Sequence, residues 1–246
     1  VADPRHIWLA DIADLYMQLK PGTDVALLSA MMHVIVTEGL HDQEFVDAHT
    51  TGFEDLVASV AEATPEWAET ITEVPADDIR TAARLYATTK KAGIYYTLGI
   101  TEHSHGTDNV YGLANLVLMT GHLGKENCGM NPLRGQNNVQ GANDAGASPI
   151  YYAGYQRVDD PVAQSKFEAA WGTELSPTPG MNLNVMMKHM GGLIRGLFII
   201  GEDIVLSEPN TERVEAGMNG LEFVVVQDIF LNETTRFADV VFPAAC

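Results

Sequence analysis

Three short runs constrain this chain more than any other feature: Leu197-Phe198-Ile199-Ile200, Phe223-Val224-Val225-Val226 and Val240-Val241-Phe242. Each is almost wholly β-branched, leucine or aromatic, and none alternates with polar residues. A strand with one wet face alternates, whereas a near-continuous apolar strand belongs to a parallel sheet with helices on both faces. A helix at 209–217 separates the first two runs, so the C-terminal part reads as an α/β unit. Hydrophobic residues make up 46% of the chain, enough to fill such a core and to exclude a disordered acidic segment.

The first ninety residues read differently. Residues 1–5 look like a strand entering a turn, and 14–19 like a second strand. Pro21-Gly22-Thr23-Asp24 is a turn whose Thr23 or Asp24 caps a helix burying Leu27, Leu28, Met31, Val34 and Ile35 and stopping at Gly39. Further helices start at Asp42, near Phe53, at Thr64-Pro65 and at Pro75; the last carries Ile79, Ala82, Ala83 and Tyr86 at helical spacing. A β-prone run at 94–98 broken by Gly99, then a helix over 106–123, make a further α/β unit. Residues 124–158 show no periodic element, and two helices, at 161–171 and 181–189, precede the C-terminal strands. The boundary between the units falls within 124–150. Both ends read as the edges of a segment cut from a longer polypeptide.

Charge and composition exclude several functions. With 14 basic and 33 acidic residues the formal net charge is −19, which repels polyanions and argues against nucleic acid as a partner. No apolar run reaches the roughly 18 residues of a membrane span, so no direct membrane insertion is expected. Residues 1–20 carry no basic segment followed by an apolar one, which points to a cytoplasmic location. Cys128 and Cys246 do not by themselves make a disulfide framework or a metal site, and His103 with His105 has no evident third ligand.

The densest polar stretch is 131–146, Asn-Pro-Leu-Arg-Gly-Gln-Asn-Asn-Val-Gln-Gly-Ala-Asn-Asp-Ala-Gly. Its amides offer donors and acceptors without charge, its glycines admit close backbone approach, and Arg134 supplies a planar fork for a carboxylate or phosphate. A loop this long inside a domain is usually functional. Ligands of open α/β sheets bind beyond the carboxyl ends of strands. Four places fit: Asp3-Pro4-Arg5, the stretch from Gly99 to His103, Gly201-Glu202-Asp203, and Gln227-Asp228-Ile229. Asp203 and Asp228 suit the paired N–H donors of a guanine or pterin ring. No G-x-G-x-x-G follows a strand, which disfavours an ordinary NAD-binding unit.

The string Arg-Gly-Gln-Asn-Asn-Val-Gln-Gly from Arg134, the Gly-Glu-Asp piece at 201–203 and Val-Val-Gln-Asp-Ile-Phe at 225–230 resemble the catalytic subunit of molybdopterin-dependent formate dehydrogenases, in the dimethyl sulfoxide reductase superfamily. The resemblance runs from Asp3 to Pro243. It implies two Rossmann-like units of parallel or mixed sheet flanked by helices: residues 1–136 as the rear of one molybdopterin-guanine-dinucleotide domain and 137–246 as the rear of the second. The implied reaction is oxidation of formate to carbon dioxide at Mo or W held by bis-molybdopterin guanine dinucleotide, with Arg134 as the catalytic residue that pins formate.

Residue by residue, the resemblance implies that Asp3, Pro4, Arg5, Leu19, Gly22 and Asp24 border one nucleotide. Leu98, Gly99, Glu102 and His103 would lie along a pterin, with Gln136 beside it. Gly201, Glu202, Asp203, Gln227, Asp228, Ile229 and Ala244 would hold the other nucleotide. Leu98 and His103 depart in type from the commonest family residues. The 4Fe–4S cysteines, the metal-ligating cysteine or selenocysteine and a C-terminal barrel-like domain have no counterpart in these 246 residues. The resemblance therefore implies as partners the remainder of the catalytic subunit and electron-transfer subunits. A relative acting on nitrate and a non-catalytic pterin-binding subunit are the other readings it leaves open, beside a generic α/β domain with an amide-rich loop.

Overall fold

The computed structural model describes residues 1–245 and divides the chain into two units, Val1–Asn137 and Asn138–Cys246. In the first unit the apolar spacing of 24–37 produces helix α2 (Asp24–Thr37), with α1 (Trp8–Ile12) before it. There follow α3 (Gln43–His49), α4 (Phe53–Ser59), α5 (Pro65–Thr72) and α6 (Ala76–Thr88). The starts are chemically marked. Asp42 accepts the Phe45 N–H and Thr64 the Trp67 N–H, each satisfying a donor that a helix start leaves free. Helix α2 is the hub of the core: Leu27, Leu28, Met31, Val34 and Ile35 are buried with Val60, Ala68, Ile79, Ala83 and Leu116.

Strand β1 (Gly93–Tyr96) pairs in parallel with β2 (Gly129–Pro132), in register from Gly93 opposite Gly129 to Tyr96 opposite Pro132. Between them lie a single helical turn, α7 (Leu98–Thr101), and α8 (Gly106–Met119), whose Leu113, Leu116, Val117 and Met119 are buried. Gly106 is required at the α7–α8 junction, because a Cβ there would overlap the Thr101 carbonyl.

The second unit begins with α9 (Val139–Asp144), a hairpin of β3 (Tyr151–Tyr152) with β4 (Gln156–Arg157), and α10 (Pro161–Trp171). The Tyr152, Phe167 and Trp171 rings pack together there. After α11 (Leu183–His189) come β5 (Gly196–Ile200), α12 (Ile204–Ser207), α13 (Thr211–Asn219), β6 (Phe223–Asp228), a 3-10 turn (Thr234–Phe237) and β7 (Val240–Pro243). The strands form a parallel sheet in the order β5-β6-β7.

The structure corrects three expectations. Residues 14–19 make only an isolated bridge, Ala2 to Met17, because no other strand lies alongside them among the described residues. The stretch 124–158 holds β2, α9 and the β3–β4 hairpin, whose short length and Gly/Asn content leave no periodic signal. Among the described residues one face of the C-terminal sheet is covered. Ile199, Val224 and Val226 are buried under Ile204, Val205, Val214 and Met218 of α12 and α13, while Phe198, Ile200, Phe223 and Phe242 are exposed.

Candidate functional site

The parallel pairing of β1 and β2 makes both strands leave their sheet at the same edge, where the Leu133 N–H donates to the Tyr96 carbonyl at 2.8 Å. From this edge β1 runs through Thr97 into α7, carrying Leu98, Gly99, Glu102 and His103. The chain after β2 carries Arg134 and Gln136. The predicted residues of these two segments therefore start side by side. Asn109, buried on α8, donates from Nδ2 to the Ile100 carbonyl at 2.8 Å and holds α7 in place. It and Gly106 are positioning residues that the sequence reading missed; the signal was a Gly and an Asn in the first turn of a helix whose last turns are apolar.

His103 Nε2 lies 2.8 Å from the Gly99 carbonyl. A carbonyl only accepts, so Nε2 carries a hydrogen, and in the tautomer with one ring proton the lone pair lies on Nδ1. The Asp24 carboxylate is 3.8 Å from Nε2, and Gly22, at φ 80°, brings the preceding turn against the ring. Thus Gly22, Asp24, Gly99 and His103 converge. Asp3, Pro4 and Arg5 are stitched to residues 16–18 instead. The Asp3 N–H donates to Met17 O at 3.2 Å, Tyr16 Oη to Asp3 O at 3.0 Å, and Gln18 Nε2 to Pro4 O at 3.0 Å. Leu19 is buried in the core and supports the turn from below.

What the edge leaves unspent defines its chemistry. Arg80, Arg84, Arg157, Arg195 and Arg236 are paired with carboxylates, whereas among the described residues the guanidinium groups of Arg5 and Arg213, like that of Arg134, make no ion pair. Among the described residues Arg134 has no hydrogen-bond or ion-pair partner, and Gln136 and Asn137 likewise make no side-chain hydrogen bond; all three are exposed. Asn131, by contrast, is spent on the Ile94 and Gly129 carbonyls. A Cβ on Gly99 or Gly135 would meet nothing within 4 Å, so the ground in front of both segments is open. An unpaired guanidinium with amides beside it suits an anionic ligand rich in heteroatoms.

In the second unit the carboxyl ends of β5, β6 and β7 also share one edge. Gly201, at φ 64°, donates its N–H to Gln227 O at 2.9 Å, and the Ala244 N–H donates to Asp228 O at 3.0 Å. Gly201, Glu202, Gln227, Asp228 and Ala244 therefore line one rim, with the exposed Ile229 following. Asp228 accepts the Phe230 N–H at 3.2 Å and Asn232 Nδ2 at 2.9 Å, and Glu202 accepts Ser207 Oγ at 2.5 Å. Asp203 is spent differently: Oδ1 accepts both the N–H and the hydroxyl of buried Thr234, at 3.1 and 2.6 Å, and Oδ2 accepts the Glu233 N–H at 3.3 Å. Its carboxylate braces the 3-10 turn, and Thr234 is a third positioning residue, invisible in the sequence. Among the described residues no group of three or more His, Cys, Asp or Glu side chains is arranged to hold a metal ion, and no helix is long and apolar enough to cross a membrane.

Two parallel sheets with polar, partly uncommitted carboxyl edges define an α/β scaffold, and a molybdopterin oxidoreductase family profile matches residues 1–246. The chain belongs to the molybdopterin oxidoreductase family. It is 46% identical over 246 residues to the F420-dependent formate dehydrogenase subunit alpha of Methanocaldococcus jannaschii, covering 100% of this chain and 36% of that protein. It is 45% identical to formate dehydrogenase H of Escherichia coli K12, covering 99% and 34% respectively. The chain thus spans about a third of the length of these relatives. Among solved structures, acetylene hydratase from Pelobacter acetylenicus shares the fold with a TM-score of 0.73 at 21% identity, over 97% of this chain and 36% of that one. Molybdopterin is the cofactor of this family, and the open ground before Gly99 and Gly135, with the unspent Arg134, Gln136 and Asn137, fits such a polar, anionic group.

Proposed function

We propose that these residues are the central part of a formate dehydrogenase catalytic subunit, which converts formate to carbon dioxide, one proton and two electrons. The observation that carries the reading is the free guanidinium of Arg134 at the carboxyl edge of β2, in a chain aligned over its whole length with subunits named formate dehydrogenase. A Mo or W centre on bis-molybdopterin guanine dinucleotide would supply the two-electron acceptor. Arg134 binds the formate carboxylate through two parallel N–H donors and fixes its orientation, so that attraction is present before charge redistributes.

The other residues hold the cofactor. Leu98, Gly99, Glu102, His103 and Gln136 border a pterin, where His103 offers the Nδ1 lone pair to an N–H donor. Asp3, Pro4, Arg5, Gly22 and Asp24, with Leu19 beneath, border one guanine nucleotide. Gly201, Glu202, Gln227, Asp228, Ile229 and Ala244 border the other. Asp228 keeps acceptor capacity for ring N–H groups, and Asp203 acts by bracing that rim. The 4Fe–4S cluster, the metal-ligating residue, electron-transfer subunits and a cytoplasmic setting complete the proposal.

The test is formate-dependent dye reduction by the full-length holoenzyme carrying Arg134→Ala or Arg134→Lys. The alanine variant is expected to lose at least ~100-fold in kcat/KM with unchanged metal and pterin content. The lysine variant keeps charge but not the fork, and recovers only part of the loss. Formate oxidation within about threefold of wild type in the alanine variant would remove Arg134 from its role.

A further inference from the structure

The second unit holds six lysine and arginine residues, and four of them are spent. Arg157, Arg195 and Arg236 pair with Asp159, Glu222 and Glu233, and Lys166 donates from Nζ to Gln156 Oε1 at 2.9 Å. The other two, Lys188 and Arg213, have no side-chain partner among the described residues, and both line one cavity of about 280 Å³. Asn184 and Glu208 line it too, and their side chains likewise make no hydrogen bond or ion pair among the described residues. Four uncommitted polar groups thus meet around one cavity, on elements that carry no residue assigned above to formate or its cofactor.

Local structure brings them there. Asn184 and Lys188 are four residues apart on α11, so they share one of its faces. The Asn210 side chain caps α13 by accepting the Arg213 N–H at 3.2 Å, which sets Arg213 in the first turn. Backbone dipoles at a helix start favour anions, so the guanidinium and the helix end add their positive potentials. Met187 and the buried Val214 give the cavity an apolar wall, continuous with the core beneath it. Glu208, half-buried just before α13, sets one carboxylate against the two cations.

We propose that this cavity binds a small dicarboxylic amino acid, with the charge pattern of glutamate or aspartate. Arg213 takes one carboxylate through two parallel N–H donors, Lys188 takes the other, and Glu208 accepts the ammonium, while the Asn184 amide serves a remaining oxygen. Two anionic groups and one cationic group on the ligand match two cations and one carboxylate on the protein. A bare inorganic anion would leave Glu208 unpaired and be repelled by it. The volume, just under the roughly 300–1,000 Å³ of drug-sized sites, suits so small a molecule, and Met187 with Val214 covers its methylene groups. The site rests on residues of the second unit alone and stands or falls independently of the formate reading.

The experiment is isothermal titration calorimetry on the full-length, cofactor-loaded protein, with L-glutamate, L-aspartate, glutarate and inorganic phosphate as probes. The better of the two amino acids is expected to bind at least ~10-fold more tightly than glutarate, which lacks the ammonium. Arg213→Gln is expected to weaken every dicarboxylate at least ~10-fold, and Glu208→Gln to erase the preference over glutarate. Arg195→Gln, whose guanidinium pairs with Glu222 away from the cavity, leaves all affinities unchanged. Hydrogen exchange on the unsubstituted protein is the second readout and does not depend on the variants: the bound amino acid slows the amides of 184–188 and 211–214. The proposal is overturned by heat that does not saturate up to ~10 mM of either amino acid, by equal affinity for glutarate, by tighter binding of phosphate, or by unchanged affinity in Arg213→Gln.

Discussion

Removing the Asp203 carboxylate tests whether that residue serves the fold or a ligand. In Asp203→Ala the buried Thr234 N–H and hydroxyl lose their acceptor, while the Glu233 N–H turns to water. Each buried donor left unpaired costs about 1–3 kcal/mol, and the two share one acceptor, so their costs overlap. The expected loss is ~2–4 kcal/mol in the second unit, or roughly 8–16 °C for a domain of this size. Asp203→Asn keeps the Oδ1 acceptor but not the charge and is expected to lose about half as much. Thr234→Val strands the Val205 N–H, which donates to Thr234 Oγ1 at 3.2 Å, and the double variant Asp203→Ala/Thr234→Val is expected to lose at least ~1 kcal/mol less than the sum. The assay is native-state hydrogen exchange of the 224–226 amides in cofactor-free protein, which reads the opening free energy of β6 directly. An Asp203→Ala protein within ~0.5 kcal/mol of wild type would refute the reasoning and return the carboxylate to direct ligand contact.

Tyr86 predicts an alkaline limb. Burial pushes its phenol up to about 12, and its hydroxyl is buried without a hydrogen-bond partner. A folded value above the unfolded one means that stability is intact below pH ~10 and falls by about 2–3 kcal/mol as pH rises from ~10 to ~12. Tyr86→Phe is expected to lack that component in urea titrations at stepped pH while staying within ~1 kcal/mol of wild type at pH 7; parallel alkaline curves for both proteins would contradict this. Gly106→Ala forces a methyl into the Thr101 carbonyl and is expected to cost ~3 kcal/mol by thermal unfolding, against about 1 or less for Gly99→Ala, where the space is open.

The legible parts of the fold were those in which one local rule decided the outcome. The 3.6-residue spacing of Leu27, Leu28, Met31, Val34 and Ile35 marks α2, and Asp42 and Thr64 announce their helices because capping is a contact over three residues. Strand β2 was hidden, since Gly129-Met130-Asn131-Pro132 has little β-propensity and is a strand only because β1 lies beside it. The apolar runs at 197–200 and 223–226 were read correctly as strands, while only one face of their sheet is packed among the described residues, because covering depends on distant segments rather than on the strands themselves. At the site, Arg134 stood out as the one cation in an amide-rich stretch, and the Gly22–Asp24–His103 cluster was legible only as separate matches. The Asp203–Thr234 brace spans 31 residues and has no local signature.

The core around helix α2 has one more consequence, for where substitutions are tolerated. Every buried member of that core lies between Met17 and Met119, so the stretch from Pro132 through Arg134 contributes no buried side chain to it. Changes in that stretch leave the apolar interior of the first unit intact, and the chemistry of the edge can vary without unfolding the scaffold beneath it.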